Sequence, residues 1–174
     1  MTAPPEPPQI HDARELLEKQ LGKLLTVEET LARTVLPKLK QETQDAELQQ
    51  ALADHLEETR THADNVRAAF AALGATPTGA EAKTLDAQKQ EREAEVQMLA
   101  PALRDGFNAS AAMATEHYEI AEYEAAVRLA DGLGLEQVSS LLRANHADEV
   151  QALERLATHA TRLAEQAARE PVVH

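Results

Sequence analysis

Glu28, His55, Glu58, Glu119, His146 and Glu149 are the residues whose types and spacing could do chemistry in this chain. Each falls on or beside the apolar face of a helical pattern, where a hydrophobe is the ordinary occupant. Three residues of the first half recur in the second at one spacing of 91 residues: Glu28 with Glu119, His55 with His146, and Glu58 with Glu149. The local strings agree, His55-Leu56-Glu57-Glu58 against His146-Ala147-Asp148-Glu149. The apolar positions around them agree less, since Leu52 meets Arg143 and Phe70 meets Thr161. A buried, unpaired carboxylate costs several kcal/mol or stays protonated. Four carboxylates together repel one another unless cations intervene, and two divalent metal ions supply the balancing charge. Four carboxylates with two imidazoles suit paired iron or manganese in a bundle core, and the lack of thiolate disfavours a structural zinc site.

Taken singly, a glutamate near an apolar face reads as a rim residue reaching for water, and a core-facing histidine as a hydrogen-bonded structural one. The shared spacing is what favours metal. Glu116 and His62 also face inward, but their counterparts at that spacing are Leu25 and Leu153, so they are expected as additional ligands or close neighbours. Tyr123, one turn from Glu119, is placed to hydrogen-bond a ligand carboxylate from outside the ligand shell. His117 and His159 read as peripheral. The chain has no Gly-rich phosphate loop and no Ser or Cys nucleophile constellation.

Long helices must position these residues. Ala, Leu, Glu and Gln dominate the 174 residues, and the aromatics are only Phe70, Phe107, Tyr118 and Tyr123. That is the composition of helices packed through small and aliphatic side chains. Residues 1–10 read as a disordered Pro-rich tail, 11–168 as one helical domain, and 169–174 as a frayed end. The first helix is capped by Asp12 and buries Leu17, Leu21, Leu24, Leu31, Val35 and Leu39 within an arc of about 80°, with Glu28 near its centre. Pro37 is expected to kink that helix or end its regular part. A second helix runs from Asp45 to Leu73, with Glu58 at the flank of its inner face. Residues 81–99 form a mostly polar helix in the crossover between helices 2 and 3. A third helix begins at Pro101, and the Gly132-Leu133-Gly134 turn leads to a fourth over about 135–168. That last helix is expected to face Leu142, His146, Glu149, Leu153 and Leu156 inward. The result is an all-α, antiparallel four-helix bundle with one crossover. In a helical hairpin, residues equidistant from the turn share a depth. The midpoint between Glu28 and the His55/Glu58 pair falls near residue 42, and that between Glu119 and His146/Glu149 near 133. Both groups therefore sit about 20 Å from their turns.

A net charge of −13 argues against nucleic acid and anionic membrane surfaces. No apolar stretch approaches the length of a membrane span, and the start of the chain lacks the pattern of a signal peptide. Without cysteine there is neither disulfide nor thiolate site. A soluble, cytoplasmic protein is the expectation.

The strings Leu36-Pro37-Lys38-Leu39, His55-Leu56-Glu57-Glu58-Thr59 and Glu116-His117-Tyr118-Glu119-Ile120-Ala121-Glu122-Tyr123, with their separation, resemble the YciE/YciF family of ferritin-like proteins over about 11–165. The resemblance implies a ferritin-like bundle with a dinuclear metal centre, a homodimer, and a link to bacterial stress responses. The usual ferritin-like order is Glu-x-x-His, whereas both pairs here run His-x-x-Glu. Three-residue spacing still puts both side chains on one face. The function expected is a di-iron or di-manganese oxidoreductase that reacts with oxygen or peroxide or oxidises Fe(II). The alternatives are a non-enzymatic stress or interaction bundle with a vestigial or structural polar core, and a metal carrier without turnover.

Overall fold

The computed structural model describes residues 9–169. Of the expected Pro-rich tail, only Gln9 and Ile10 fall within them, as exposed coil; at the other end Arg169 closes the last helix, and residues 170–174 lie outside. The regular structure among the described residues is all helical, with no strand: α1 (Ala13–Thr30), a π-helical turn (Leu31–Val35), α2 (Leu36–Glu42), α3 (Ala46–Leu73), α4 (Lys83–Val96), α5 (Pro101–Gly132) and α6 (Glu136–Arg169). No helix among them is long and apolar enough to cross a membrane.

The helix starts follow local chemistry. Asp12 caps α1 by accepting from the Glu15 N–H at 2.8 Å, and Asp45 caps α3 by accepting from the Leu48 N–H at 2.9 Å. Gly74, at φ 72°, takes the left-handed conformation that ends α3. Pro101 opens α5, where its missing N–H costs nothing.

Pro37 does not end the first helix. A proline ring clashes with the carbonyl four residues earlier and offers it no N–H. The chain responds one turn upstream, where the Leu36 N–H reaches back five residues to the Leu31 carbonyl. This wide turn absorbs the mismatch, and α1 and α2 form one rod.

The four long rods make a ring in the order α1, α3, α6, α5, with α5 and α6 the most extensively packed pair. Each runs antiparallel to both neighbours. Arg14 at the start of α1 bonds the Leu73 carbonyl at the end of α3. Asp45 at the start of α3 holds Arg162 near the end of α6 at 2.6 Å. Asp105 near the start of α5 accepts from the Asp45 N–H at 2.7 Å, tying it to the α2–α3 turn. α4 lies outside the ring along the wide turn, α2 and α5, with Leu85 and Val96 turned inward.

The crossover leaves α3 over Gly22, where the Ala80 N–H bonds the Gly22 carbonyl at 2.9 Å. A Cβ on Gly22 would lie 2.6 Å from the Thr78 carbonyl oxygen. Gly22→Ala is expected to destabilise the protein by about 1–3 kcal/mol, read as a lower midpoint in thermal denaturation, because backbone on one side or the other must move.

Two apolar clusters fill the ring. One gathers Leu17, Leu21, Leu24, Val66, Phe70, Ala126 and Leu142, and the other Val27, Leu31, Leu48, Leu52, Ala109 and Leu156. On every rod the stretch between the two clusters carries buried polar groups: Glu28; His55, Thr59 and His62; Glu116 and Glu119; Asn145 and Glu149. A polar layer thus lies at mid-height with hydrocarbon above and below.

Candidate metal centre

Six side chains define the layer: Glu28 from α1, His55 and His62 from α3, Glu116 and Glu119 from α5, and Glu149 from α6. All are at most 3% exposed. Five of them form two triads, Glu28–His62–Glu149 and His55–Glu116–Glu149, in each of which one potential ligand atom per residue lies within 4.8 Å of the others, and Glu119 belongs to neither. Glu149 belongs to both. Its Oε1 is 2.8 Å from His62 Nδ1, and its Oε2 is 4.0 Å from His55 Nε2. Glu116 Oε1 stands 3.0 Å from His55 Nε2, and Glu28 Oε2 3.7 Å from His62 Nδ1.

Proximity here is not hydrogen bonding. Glu28 Oε2, His55 Nε2, His62 Nδ1, Glu116 Oε2 and both oxygens of Glu119 and Glu149 are buried with no hydrogen-bond partner among the described residues. Such a concentration is abnormal, since buried polar atoms are almost always satisfied. Lone pairs that crowd together without aligning on one another are arranged as ligands are around a cation. The outer sides of the imidazoles agree. His55 Nδ1 lies 3.4 Å from Glu58, and His62 Nε2 3.4 Å from Asp148. A carboxylate on the far nitrogen is what sets the tautomer and orientation of a metal-binding histidine. The donor set of four carboxylates and two imidazoles fits hard or borderline divalent ions.

Hydrogen bonds from a second layer hold the Glu28 end. The Tyr123 hydroxyl donates to Glu28 Oε1, and Asn145 Nδ2 donates to the Tyr123 oxygen at 2.9 Å and to the His62 carbonyl at 3.1 Å. Asn65 donates to Asn145 at 2.7 Å. At the other end, Glu58 accepts from Arg155.

Without metal the layer keeps its charge down by holding protons. Burial, reinforced by the Glu149 charge, pushes the Glu28 carboxyl up to about 8. Burial likewise raises Glu116 to about 7, against the pull of His55. Glu119 rises well above the carboxylate range through burial and the charges of Glu149, Glu28 and Glu116. Burial works against a charge on His62, but Glu149 and Glu28 outweigh it and bring the imidazole to about 9. His55 is raised in the same way, Glu116 overcoming its burial. Glu149 stays below the usual range despite burial, because His62 lies against it.

The placements depart from the sequence reading at two residues. His146 does not join the layer: its side chain is 30% exposed and its Nε2 lies 3.7 Å from Glu124. The buried positions of α6 are Val138, Ser139, Leu142, Asn145, Glu149, Ala152 and Leu156, and at 100° per residue His146 lies about 70° off their mean direction. Leu153, about 20° from His146 at 100° per residue, draws the expected face toward it, while the burial of Asn145 and Ala152 sets the true one. Glu58 is likewise about 80° off the inner line of α3. It stands at the rim, 31% exposed, as the outer partner of His55. His62 and Glu116, expected as additional or neighbouring groups, occupy the inner positions instead. Asn145 and Asp148 had no role in the sequence reading; the spacing 138, 142, 145, 149, 152, 156 was the available signal for Asn145. A third grouping of Asp45, Glu47 and His159 offers ligand atoms, but Arg162 already holds both of its carboxylates.

Fold and site together define an all-helical bundle with a buried carboxylate–imidazole layer. The chain belongs to the family described as a domain of unknown function, DUF892, which matches residues 12–169. Among solved structures, YcfI from Rhodopseudomonas palustris shares 29% identity and superposes with a TM-score of 0.83, covering 86% of this chain and 95% of that one. The E. coli stress protein YciF has 24% identity and a TM-score of 0.83, with 90% and 99% covered. A protein from Xanthomonas campestris pv. campestris has 21% identity and a TM-score of 0.73, with 90% and 97% covered. No curated protein matches the chain. The resemblance to the YciE/YciF family is borne out by the family membership and by the fold shared with YciF.

Proposed function

We propose that this chain is a ferritin-like dinuclear metal protein, with iron or manganese as the metal, that reacts with oxygen or peroxide or oxidises Fe(II). The observation that carries this reading is Glu149, whose two oxygens face two different histidines in a pocket of unsatisfied lone pairs. One ion would rest on Glu28 and His62, the other on Glu116 and His55, with Glu149 between them and Glu119 completing the set. Bound metals of this kind supply one-electron redox steps and an open position for a small oxidant. The chain's own groups do the rest. Tyr123 and Asn145 fix the Glu28 oxygen, Glu58 and Asp148 orient the imidazoles, and the apolar clusters above and below keep bulk water out. A part in a stress response is proposed from the fold shared with YciF.

Anaerobic titration of the apo protein with Fe(II) or Mn(II) tests the site, with two equivalents bound per chain expected. Turnover of Fe(II) with peroxide then distinguishes an enzyme from a carrier. Failure to bind metal, with thermal stability unchanged by either ion, leaves the non-enzymatic bundle with a structural polar core. The two histidines contrasted above give a sharper comparison. His62→Ala is expected to lose at least one equivalent, whereas His146→Ala keeps both.

Metal uptake must displace protons, so pH is a second handle. At pH 7 the apo layer holds protons on Glu28, Glu119, His55 and His62. Two divalent ions replace about four protons, which leaves the charge of the layer nearly unchanged. Apparent affinity is therefore expected to rise steeply from pH 6 to 9, with proton release visible to a pH indicator in weak buffer. Apo stability runs the opposite way. Glu28 is raised from 4.5 to about 8, so its contribution is complete below pH 4.5 and lost as pH rises through 8. His62 is raised from 6.5 to about 9, so its contribution is lost as pH rises through 9. Melting of the apo protein at a series of pH values should show a falling midpoint over pH 5–9, while the metal-induced increase in midpoint grows.

A further inference from the structure

A cavity of about 230 Å³ lies on the flank of the bundle, between the wide turn with α2, the crossover helix α4, and α5. Its walls are apolar: Val35, Leu39, Leu85 and Ala112, with the methyl-bearing Thr34 and Thr115 beside them. The charged residues at its mouth are Lys38, Lys89, Arg92 and Glu93, three cations and one acid, on a chain whose net charge is −13. Each cation has a carboxylate partner, Lys38 with Glu93, Lys89 with Asp86 and Arg92 with Glu42.

Glu93 shows what the mouth is shaped to hold. It reaches from α4 to Lys38 with a carboxylate oxygen 2.6 Å from Nζ, and both side chains are about half exposed, at 55% and 48%. An exposed pair of this kind contributes little to stability, so exchanging one carboxylate for another on Lys38 costs little. Lys89 is more loosely engaged, 3.5 Å from Asp86, and an ammonium has three donors to offer. Arg92 is committed to Glu42 and Asn108 and forms wall. The cavity also borders the π-helical turn, a backbone irregularity that recurs at functional sites. α4 is otherwise a polar strap with Leu85 and Val96 as its buried side chains, and Gln88 ties it to α5 through the Ala114 carbonyl at 3.3 Å.

We propose that this cavity binds a small aliphatic monocarboxylate, its head group on Lys38 and Lys89 in place of Glu93 and its chain along Val35, Leu39, Leu85 and Ala112. The volume suits a body of roughly eight methylene-sized groups. The lining includes none of the six residues of the metal layer.

Octanoate is the probe, with 1-octanol and acetate as controls, titrated calorimetrically into the apo protein. Octanoate is expected to bind with a dissociation constant below about 1 mM, at least ten-fold tighter than either control. The double substitution Lys38→Ala, Lys89→Ala should weaken octanoate about ten-fold and leave octanol unchanged. Ala112→Leu, which fills the cavity from α5, should abolish binding. Because Lys38 is half exposed and Lys89 about a third exposed, that double variant is expected to fold normally, and its melting midpoint checks this. Octanol binding as tightly as octanoate, octanoate binding undiminished in the lysine variant, or no octanoate binding at 10 mM would each overturn the proposal.

Discussion

Replacing Glu149 with glutamine is expected to remove both metal ions at once, whereas Glu28→Gln and Glu116→Gln each remove one. The asymmetry follows from position. Glu28 belongs to the triad around His62 and Glu116 to the triad around His55, while Glu149 belongs to both. Its carboxylate is also the group that stays ionised in the apo layer, held low by His62 although buried. It therefore offers a negative charge to an incoming cation without first losing a proton. A carboxamide keeps the shape but brings no charge, and its NH₂ group has no lone pair to give. Outer partners of metal ligands already change affinity by about 10–100-fold when removed, so losing a shared ligand should weaken both ions by more than about 100-fold. Equilibrium dialysis followed by elemental analysis reads the result directly. Near-normal binding of two ions in Glu149→Gln would show that the two triads are not joined through this residue; loss of one ion alone would assign Glu149 to a single triad. Circular dichroism of the apo variant guards against a trivial loss of fold.

The sequence revealed the helices more reliably than the ligands, for a physical reason. Helix positions repeat a hydrophobic signal many times over, so Leu17, Leu21, Leu24 and their counterparts establish the face of α1 even with Glu28 in its middle. Caps and turns are local too, and Asp12, Asp45, Gly74 and Pro101 could each be placed from their neighbours. A ligand is one residue on one face, and an error of one position in phase moves it by about 100°. On α3 and α5 the phase was clear, and His55, His62, Glu116 and Glu119 all lie inside as their spacing requires. On α6 it was not. Leu153 carries more hydrophobic weight than Ala152 and lies about 20° from His146, so the expected face passes through His146, while the helix in fact buries Asn145 and Ala152. The 91-residue spacing added to that error, because it matched His55 to His146 and Glu58 to Glu149 as though both pairs pointed inward. The spacing does pair Glu28 with Glu119, both of which are buried in the layer. Four carboxylates and two imidazoles were expected and are found, with Glu116 and His62 in the places assigned to Glu58 and His146. The wide turn before Pro37 was beyond reach, since the sequence shows that the ladder must break without showing where the extra residue goes.

Glu119→Met is expected to make the apo protein more stable while weakening its hold on metal. Neither oxygen of Glu119 has a hydrogen-bond partner among the described residues, and the side chain is 1% exposed. Burial and three neighbouring carboxylates keep it protonated far above the normal range, so the apo fold carries a carboxylic acid with its polar atoms unsatisfied. Leaving such a group unpaired costs about 1–3 kcal/mol. Methionine fills a similar volume without polar demand, so most of that cost should be recovered, raising the apo melting midpoint by roughly 3–10 °C. Glu116→Met should do the reverse. Glu116 lies 3.0 Å from His55 Nε2, and its loss strands a buried imidazole, at a cost of about 3–5 kcal/mol for breaking a buried pair. Metal inverts the ranking. At about one hundred times the dissociation constant, a bound ion adds about 2.7 kcal/mol to the wild-type protein, and Glu119→Met gains less. Melting both variants and the wild type with and without Mn(II) therefore separates two origins for the buried acid. If Glu119→Met destabilises the apo protein as much as Glu116→Met does, Glu119 is a structural group with a partner of its own. If it stabilises the apo protein and responds less to metal, the carboxylate is retained at the expense of the fold, which is what a group kept for a ligand should show.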